Sequence, residues 1–563
     1  MSHLKLLMEK GKAKKVYLLA LYIIIPFLAF FFYIVIYSKT PIYALTTIFV
    51  NNKPEANYPT FTISFDENIP IEVQSSIIES VDDIQLNGVK RFKFVSDGEY
   101  EISTVGMGES SIYSIEYVPV GYLYWVKGDT SLEEIGQLDT IYVKEGISEL
   151  SKNLLKQILK EDVVLEEVED MGRALINSEE RIGMVSPNEL TKDLKVLSLE
   201  SRYFFADEQG SIFIGYGLQG GEKKDFVEHI LKKNMDIKYG ESKIYTREDI
   251  LKINMSGVVA ISRGLASKID AVGDYSYPAK EIGSFLADAD LTHVSNEVSF
   301  VQGCSVYSGM RFCSKPEYIE ALKVSGVDIV ELTGNHNNDF GADKNKDSIE
   351  MYKDLGWDYF GGGLNIEDAS KILYKELKGS TVAFVGYNYY DTMLRTGAIA
   401  TSSRAGANSY SVEKLSRDIK QAREIADIVI VTFQFQECYS YPSSDVIYPL
   451  CYKPLSTPDQ KGTFRRAIEL GADVVVGTQA HQPQTYEIYK EGLIFYGLGN
   501  LYFDQSRWIG TRQAMILSLY IQEGKLLQAK ITPTLMGTDL TTRLAEEKDS
   551  TLLLNLLKSA RTF

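Results

Sequence analysis

One stretch of sequence limits this chain more than any other: residues 16–37 form an apolar and aromatic run with no charge in it. At helical rise such a run crosses the roughly 30 Å hydrocarbon layer of a bilayer. Lys5, Lys10, Lys12, Lys14 and Lys15 precede it against one acid, Glu9. That excess of positive charge keeps residues 1–15, a basic tail, in the cytoplasm and sends the rest outward. The expectation is a single-pass protein of the cell membrane whose bulk is extracytoplasmic. A cleaved signal peptide is the alternative, but its apolar region spans only about 7–15 residues and ends at a small-x-small site. Here the run is longer and leads into Ser38, Lys39 and Thr40.

At 563 residues the chain exceeds what one compact core holds, so two folded domains are expected. The formal net charge of −17 repels a phosphate backbone, and no basic stripe with interleaved aromatics offsets it, which argues against nucleic acid as a partner. Four cysteines, Cys304, Cys313, Cys438 and Cys451, fall as two local pairs. In an oxidising compartment, of the three possible connectivities, Cys304 to Cys313 with Cys438 to Cys451 has the smallest loop-closure cost. A four-cysteine metal site is the alternative, and it lacks the C-x-x-C spacing such sites use.

Residues 51–246 alternate short β-rich runs with helical stretches, the pattern of an α/β domain. Strands are predicted over 60–65, 121–126 and 139–143, with Ser131 and Glu134 at capping-box spacing before a short helix. After the third strand, Gly146-Ile147-Ser148 opens a helix through Leu159, and Tyr117 to Val120 reads as a crossover stretch. This arrangement resembles the two-lobed solute-binding proteins of bacterial surfaces. The helix N-terminus at Ser148 offers free N–H donors to an anion, but the favoured reading is an ordinary N-cap serine.

From residue 255 the alternation is more regular. Buried strands are predicted over 255–261, 291–294, 328–332, 427–433 and 473–476, with later ones over 382–385, 493–496 and 514–520. Helices separate them over 316–324, after Ser314 with Glu317 three on, and over 458–470, after Thr457 and closing at Gly471. The predicted architecture of 255–545 is a β-sandwich flanked by helices, four layers in the order α/β/β/α, with a last helix over 550–563.

Polar residues at the exits of buried strands are natural sites, because an exit places side chains at the rim of a sheet. Four such exits occur, at 290–297, 333–341, 432–439 and 477–484. Of five histidines in the chain, His293, His336 and His481 fall in them. His293 sits inside an apolar run and reads as structural. His336, between Asn335 and Asn337, can present an imidazole to a metal or an oxyanion beside the Asn335 amide.

Gly334-Asn335-His336 with Asp339 and Gly341, Phe495 to Asn500 running into Phe503-Asp504-Gln505, and Ala289-Asp290 with Asn296-Glu297 together resemble the motifs of the capsule-synthesis CapA family. The family is known from poly-γ-glutamate capsule assembly and is related in fold to calcineurin-like metallophosphoesterases. The resemblance covers about residues 255–534 and implies an anionic surface polymer as partner, with other capsule-synthesis membrane subunits. It also implies a metal site, but Val258 stands where the family has a probable metal-binding Asp, and Gln434 and Gln479 stand where it has His.

What remains is Glu297, Asn335, His336 and His481, a set comfortable with one divalent metal at most. His336 or His481 would serve as an acid or base with Glu297 orienting it. Arg263, Asn296, Asn335, Asp339, Gln434, Gln479 and Asn500 are the expected ligand-binding residues, the glutamines by hydrogen bonds to an amide-rich or sugar-like polymer. Three functions follow as expectations: a membrane-anchored protein of surface-polymer synthesis, export or retention; a hydrolase of a phosphoester or polymer bond with a reduced metal site; and a surface receptor whose front domain captures a solute.

Overall fold

The computed structural model describes residues 60–86, 89–107, 109–239, 247–305, 308–389, 397–435, 459–478 and 480–561. The predicted membrane span and basic tail, Cys438, Cys451 and Gln479 lie outside the described residues. Within them no helix is long and apolar enough to cross a membrane. The chain divides into two compact units, residues 1–64 with 81–100, and 65–80 with 101–563. In the smaller, Phe61 to Ile63 run parallel to Phe92–Phe94, and the Phe61 ring packs against Phe92 and Tyr100.

In the larger unit the chain first builds strands β1 (Tyr113–Tyr122), β2 (Thr140–Lys144), β3 (Val164–Val168), β4 (Gly183–Val185), β5 (Leu194–Val196) and β6 (Ile212–Gly220). Every residue of β1 is buried, and the strand changes neighbours midway. Residues 113–117 pair with β6, while 118–122 pair with β4 and β5. The strand predicted over 121–126 is therefore only the end of β1. A Cβ on Gly121 would lie 2.1 Å from the Trp125 ring, so glycine lets the chain fold back there, and Trp125 N–H closes the turn on Tyr122 O. The Ser131 and Ser148 hydroxyls cap their own helices, on Glu134 N and Ser151 N.

Apart from a two-stranded pair, Gly362–Gly363 with Gly406–Ala407, the remaining strands make two sheets. The first contains β7 (Leu251–Val259), β8 (Leu291–Asn296), β9 (Ile329–Glu331) and β10 (Asp358–Phe360), and the second β11 (Leu373–Leu377), β12 (Ser380–Asn388), β13 (Ile428–Gln434), β14 (Val474–Gly477), β15 (Pro483–Tyr489) and β16 (Gly492–Leu498). The chain then returns to the first sheet with β17 (Asn500–Tyr502), β18 (Gln513–Gln522), β19 (Lys525–Met536) and β20 (Thr542–Leu544). The orders are β10-β9-β8-β7-β18-β19-β20, with β17 also on β7, and β11-β12-β13-β14-β16-β15. Strands β7 to β10 are mutually parallel, as are β12, β13, β14 and β16.

Three hydrophobic cores stack across these sheets. Between them lie Ile253, Met255, Ile329, Phe384, Ile430, Val474 and Leu517. On the outer face of the first sheet, Val294 and Val330 pack on helices α1 (Arg263–Val272) and α2 (Ala342–Asp354) through Leu265, Ile269, Ile349 and Tyr352. On the outer face of the second, Val429, Val431 and Val475 pack on α3 (Val412–Arg423) and α4 (Gln460–Glu469) through Leu415, Ile419 and Phe464. Parallel strands buried on both faces are continuous apolar runs, which is why the sequence showed them. The helix start expected at Ser314 differs in detail: the cap position is Lys315, and the Ser314 hydroxyl donates to Ile261 O instead. A last helix, α5 (Glu547–Ser559), buries Leu553 and Leu557.

Candidate functional site

Two of the four strand exits, 333–341 and 477–484, meet the end of β7 at one rim of the sandwich. After β7 the chain reaches Ser262 and turns into α1 with Arg263 at a φ of 50°, a left-handed conformation unfavourable for a side chain as large as arginine. Asp504 compensates: its Oδ1 accepts from Arg263 Nε at 3.0 Å and Nη2 at 2.5 Å, and its Oδ2 accepts from Gly264 N–H at 2.7 Å. The guanidinium stacks over Phe312 and Phe503, 4.7 Å from each ring centre.

His336 follows β9. A Cβ on Gly334 would sit 2.7 Å from Glu297 Cα, so glycine allows this loop to lie against the β8 exit. His336 Nδ1 is 2.7 Å from Asp339 Oδ2, which also accepts from Phe312 N–H at 2.8 Å. A carboxylate accepts only, so Nδ1 carries the proton and Nε2 faces the other way, 3.8 Å from Glu297 Oε1 and beyond hydrogen-bond reach.

His481 is fixed similarly by a neutral partner. The Asn500 amide nitrogen donates to His481 O and Thr511 O, each at 3.0 Å, and to Gln505 Oε1 at 3.2 Å. Its oxygen therefore faces His481 Nδ1 at 2.9 Å and accepts a proton from it. Each imidazole thus carries a proton on Nδ1.

Arg263, His336 and His481 line one cavity of about 620 Å³ with Phe312, Phe503, Asp504, Gln505, Arg507 and Trp508. Its lining therefore holds two guanidiniums and two imidazoles against one carboxylate, and that carboxylate is held by Arg263. A disulfide between Cys304 and Cys313 closes the loop that carries Met310 and Phe312 into the cavity wall.

The other expected residues are distributed around it. Glu297 is buried at the β8 exit. Gln434 Nε2 donates to Asn335 Oδ1 at 2.5 Å, joining the β13 and β9 exits. The Asn296 amide faces inward, donating to Val298 O and to the Tyr352 hydroxyl, both at 2.7 Å. His293 is fully buried, with Nε2 3.2 Å from Glu331 Oε2. The sequence reading left out Arg507 and Trp508, and it quoted Asp504 within a motif without giving it a role. The signal for Asp504 was its place directly after the Gly-Asn turn that carries Asn500.

The donor set does not fit a protein-held dinuclear metal centre. Among the described residues no group of three or more His, Cys, Asp and Glu side chains is placed to hold a metal ion. Val258, at the position of an expected ligand, belongs to an apolar cluster with Ala260, Val298, Phe312 and Phe503.

Two packed sheets with helices on both outer faces, and a polar cleft at the strand exits, fit the metallophosphoesterase-like class of fold. Residues 252–505 match the family described as bacterial capsule synthesis protein PGA_cap. The chain is 31% identical over 224 residues to the capsule biosynthesis protein CapA of Bacillus anthracis, covering 39% of this chain and 50% of that protein. To the PGA biosynthesis protein CapA of Bacillus subtilis (strain 168) it is 27% identical over 218 residues, 38% of this chain and 53% of that one. The chain thus spans about half the length of these curated relatives. A solved hypothetical protein from Thermus thermophilus is similar over 50% of this chain and 98% of its own, at 14% identity and a TM-score of 0.30, too low to add to the fold argument.

Proposed function

We propose that the protein takes part in making, exporting or retaining an anionic surface polymer of the poly-γ-glutamate type, anchored in the cell membrane by residues 16–37 with its bulk outside. The observation that carries this reading is the cavity at the strand exits, where Arg507 forms no ion pair among the described residues and stands with Arg263, His336 and His481, whose neighbouring carboxylates Asp504 and Asp339 are already engaged, in a chain of net charge −17. A guanidinium without a carboxylate of its own, in a protein that is acidic elsewhere, favours a polyanion at that cleft and repels it elsewhere. The names of the Bacillus relatives, a capsule and a PGA biosynthesis protein, support the polymer class. Partners within the membrane would be other subunits of the same assembly.

The test is equilibrium binding of poly-γ-glutamate to the full-length protein in detergent. Replacing Arg507 and His336 together by alanine should weaken binding by about tenfold or more, the loss of one to two charge-assisted contacts, and binding should decline with added salt. Unchanged affinity in the double variant would overturn the reading. A second reading, hydrolysis of a polymer or phosphoester bond, is favoured by the Asp339–His336 pair, which aims one imidazole nitrogen away from its carboxylate as a general base requires. Release of shorter chains by wild type, lost in His336→Gln, would support it.

A further inference from the structure

A second cavity, of about 900 Å³, lies remote from the strand exits, between the residues of β5 and their neighbours on one side and β19 with α5 on the other. Three lysines stand in its wall: Lys127, which pairs with Glu134 at 3.1 Å, and two without such a partner, Lys195 on β5 and Lys530 on β19. The two strands meet here, since Val196 N–H donates to Gln528 Oε1 at 3.1 Å. Neither Lys195 nor Lys530 has a carboxylate within ion-pairing distance among the described residues. Lys195 Nζ donates to the carbonyls of Trp125, at 2.8 Å, and Val126, at 3.2 Å, and Lys530 Nζ lies 3.4 Å from the centre of the Tyr203 ring.

Two half-buried ammonium groups in one wall, without ion-pair partners, are costly. Burial holds Lys195 down to about 8, with Glu179 opposing the shift and Lys530 adding to it. Burial likewise holds Lys530 down to about 8, with Lys252 contributing. The carboxylates in the same wall have other duties: Glu179 accepts from Val126 N–H and Lys127 N–H and pairs with Lys558, Asp129 accepts from Ser201 N–H, and Glu547 is exposed at the start of α5. Two further donors are unmet, the buried indole nitrogen of Trp125 and the hydroxyl of Thr532. Leu123, Tyr486 and Leu554 supply an apolar wall beyond them.

We propose that this cavity binds a small molecule bearing a carboxylate or phosphate oxyanion, held by Lys530 and Lys195 with the Trp125 N–H and the Thr532 hydroxyl. The oxyanion supplies the missing counter-charge and the acceptors for orphaned donors, and the apolar wall takes the body of the ligand.

The experiment is calorimetric titration of the full-length protein in detergent with inorganic phosphate, L-glutamate and phenylacetate, at matched ionic strength. Saturable one-to-one binding of a carboxylate, or of phosphate, identifies the source of the oxyanion. Lys530→Met, which keeps the length of the side chain, should weaken it at least about tenfold, roughly one charge-assisted hydrogen bond. Trp125→Phe should weaken it less while keeping the ring. The Arg507 and His336 double variant should bind as wild type does, which separates this site from the polymer cleft. No saturable binding of any of the three anions, binding indifferent to Lys530→Met, or binding lost in the double variant instead, would each overturn the proposal.

Discussion

Arg263 is held in an unfavourable backbone conformation by one carboxylate 241 positions away, and that single pairing sets one wall of the candidate site. Asp504→Asn keeps the shape but removes the charge and with it the fork that holds both the guanidinium and the start of α1. The loss expected is about 2 kcal/mol in denaturant unfolding, between the values for exposed and fully buried pairs because both groups are partly shielded. Polymer affinity should fall with it. An unfolding midpoint unchanged from wild type would show that Arg263 does not depend on Asp504. At this scale the sequence was partly legible. His336 was found because a histidine between two asparagines after a buried strand has few structural uses, and Asn335 and Gln434 were found as polar residues at neighbouring exits. The roles of Asp504 and Arg507 were not, because they come from which exits meet in space, a property of chain topology that no local spacing records.

Glycines decide how closely the elements around the site approach. A Cβ at Gly257, in β7, would lie 1.9 Å from Gly499 O, a backbone atom that cannot move aside cheaply. Gly499 itself holds a φ of 83° and leads directly into Asn500. Gly257→Ala should therefore push β7 from β17, tilt Asn500 away from His481 and cost about 1–3 kcal/mol, the range for overpacking. Thermal unfolding with a parallel polymer titration checks both effects, and a variant as stable and as active as wild type would refute the packing argument. Most strands of the sandwich were visible as apolar runs bounded by turns. The strand predicted over 121–126 was misplaced because β1 exchanges partners midway, so its second half looked like a separate element. Strands β10, β11, β15, β17, β19 and β20 were missed: β10, β17 and β20 are three residues long, β11 is only half-buried, and β11, β15 and β19 lack the unbroken apolar run of a central parallel strand.

Across the larger unit, the front strands and the sandwich share a junction. Ile488 N–H donates to the Tyr124 hydroxyl at 2.6 Å, and the Arg561 guanidinium lies 3.4 Å from the centre of the same ring. The two lysines of the junction give it a pH signature. Their folded values, about 8, lie below the ordinary 10.5, so between these limits the unfolded chain holds protons that the folded chain has lost. Their contribution to stability therefore rises with pH through that window and is flat below it. Denaturant unfolding at pH 7.5 and 9.5 should show a larger gain with pH for wild type than for Lys530→Met, and equal slopes would contradict it. The junction also bears on how the protein is made. The residues that meet there, Val196 and Gln528, are 332 positions apart, so a growing chain presents Trp125 and Leu123 to its surroundings long before the wall that covers them has been synthesised. During that interval the front strands depend on whatever chaperone or neighbouring surface shields them, and a message truncated before β19 yields a product whose apolar face never finds its cover.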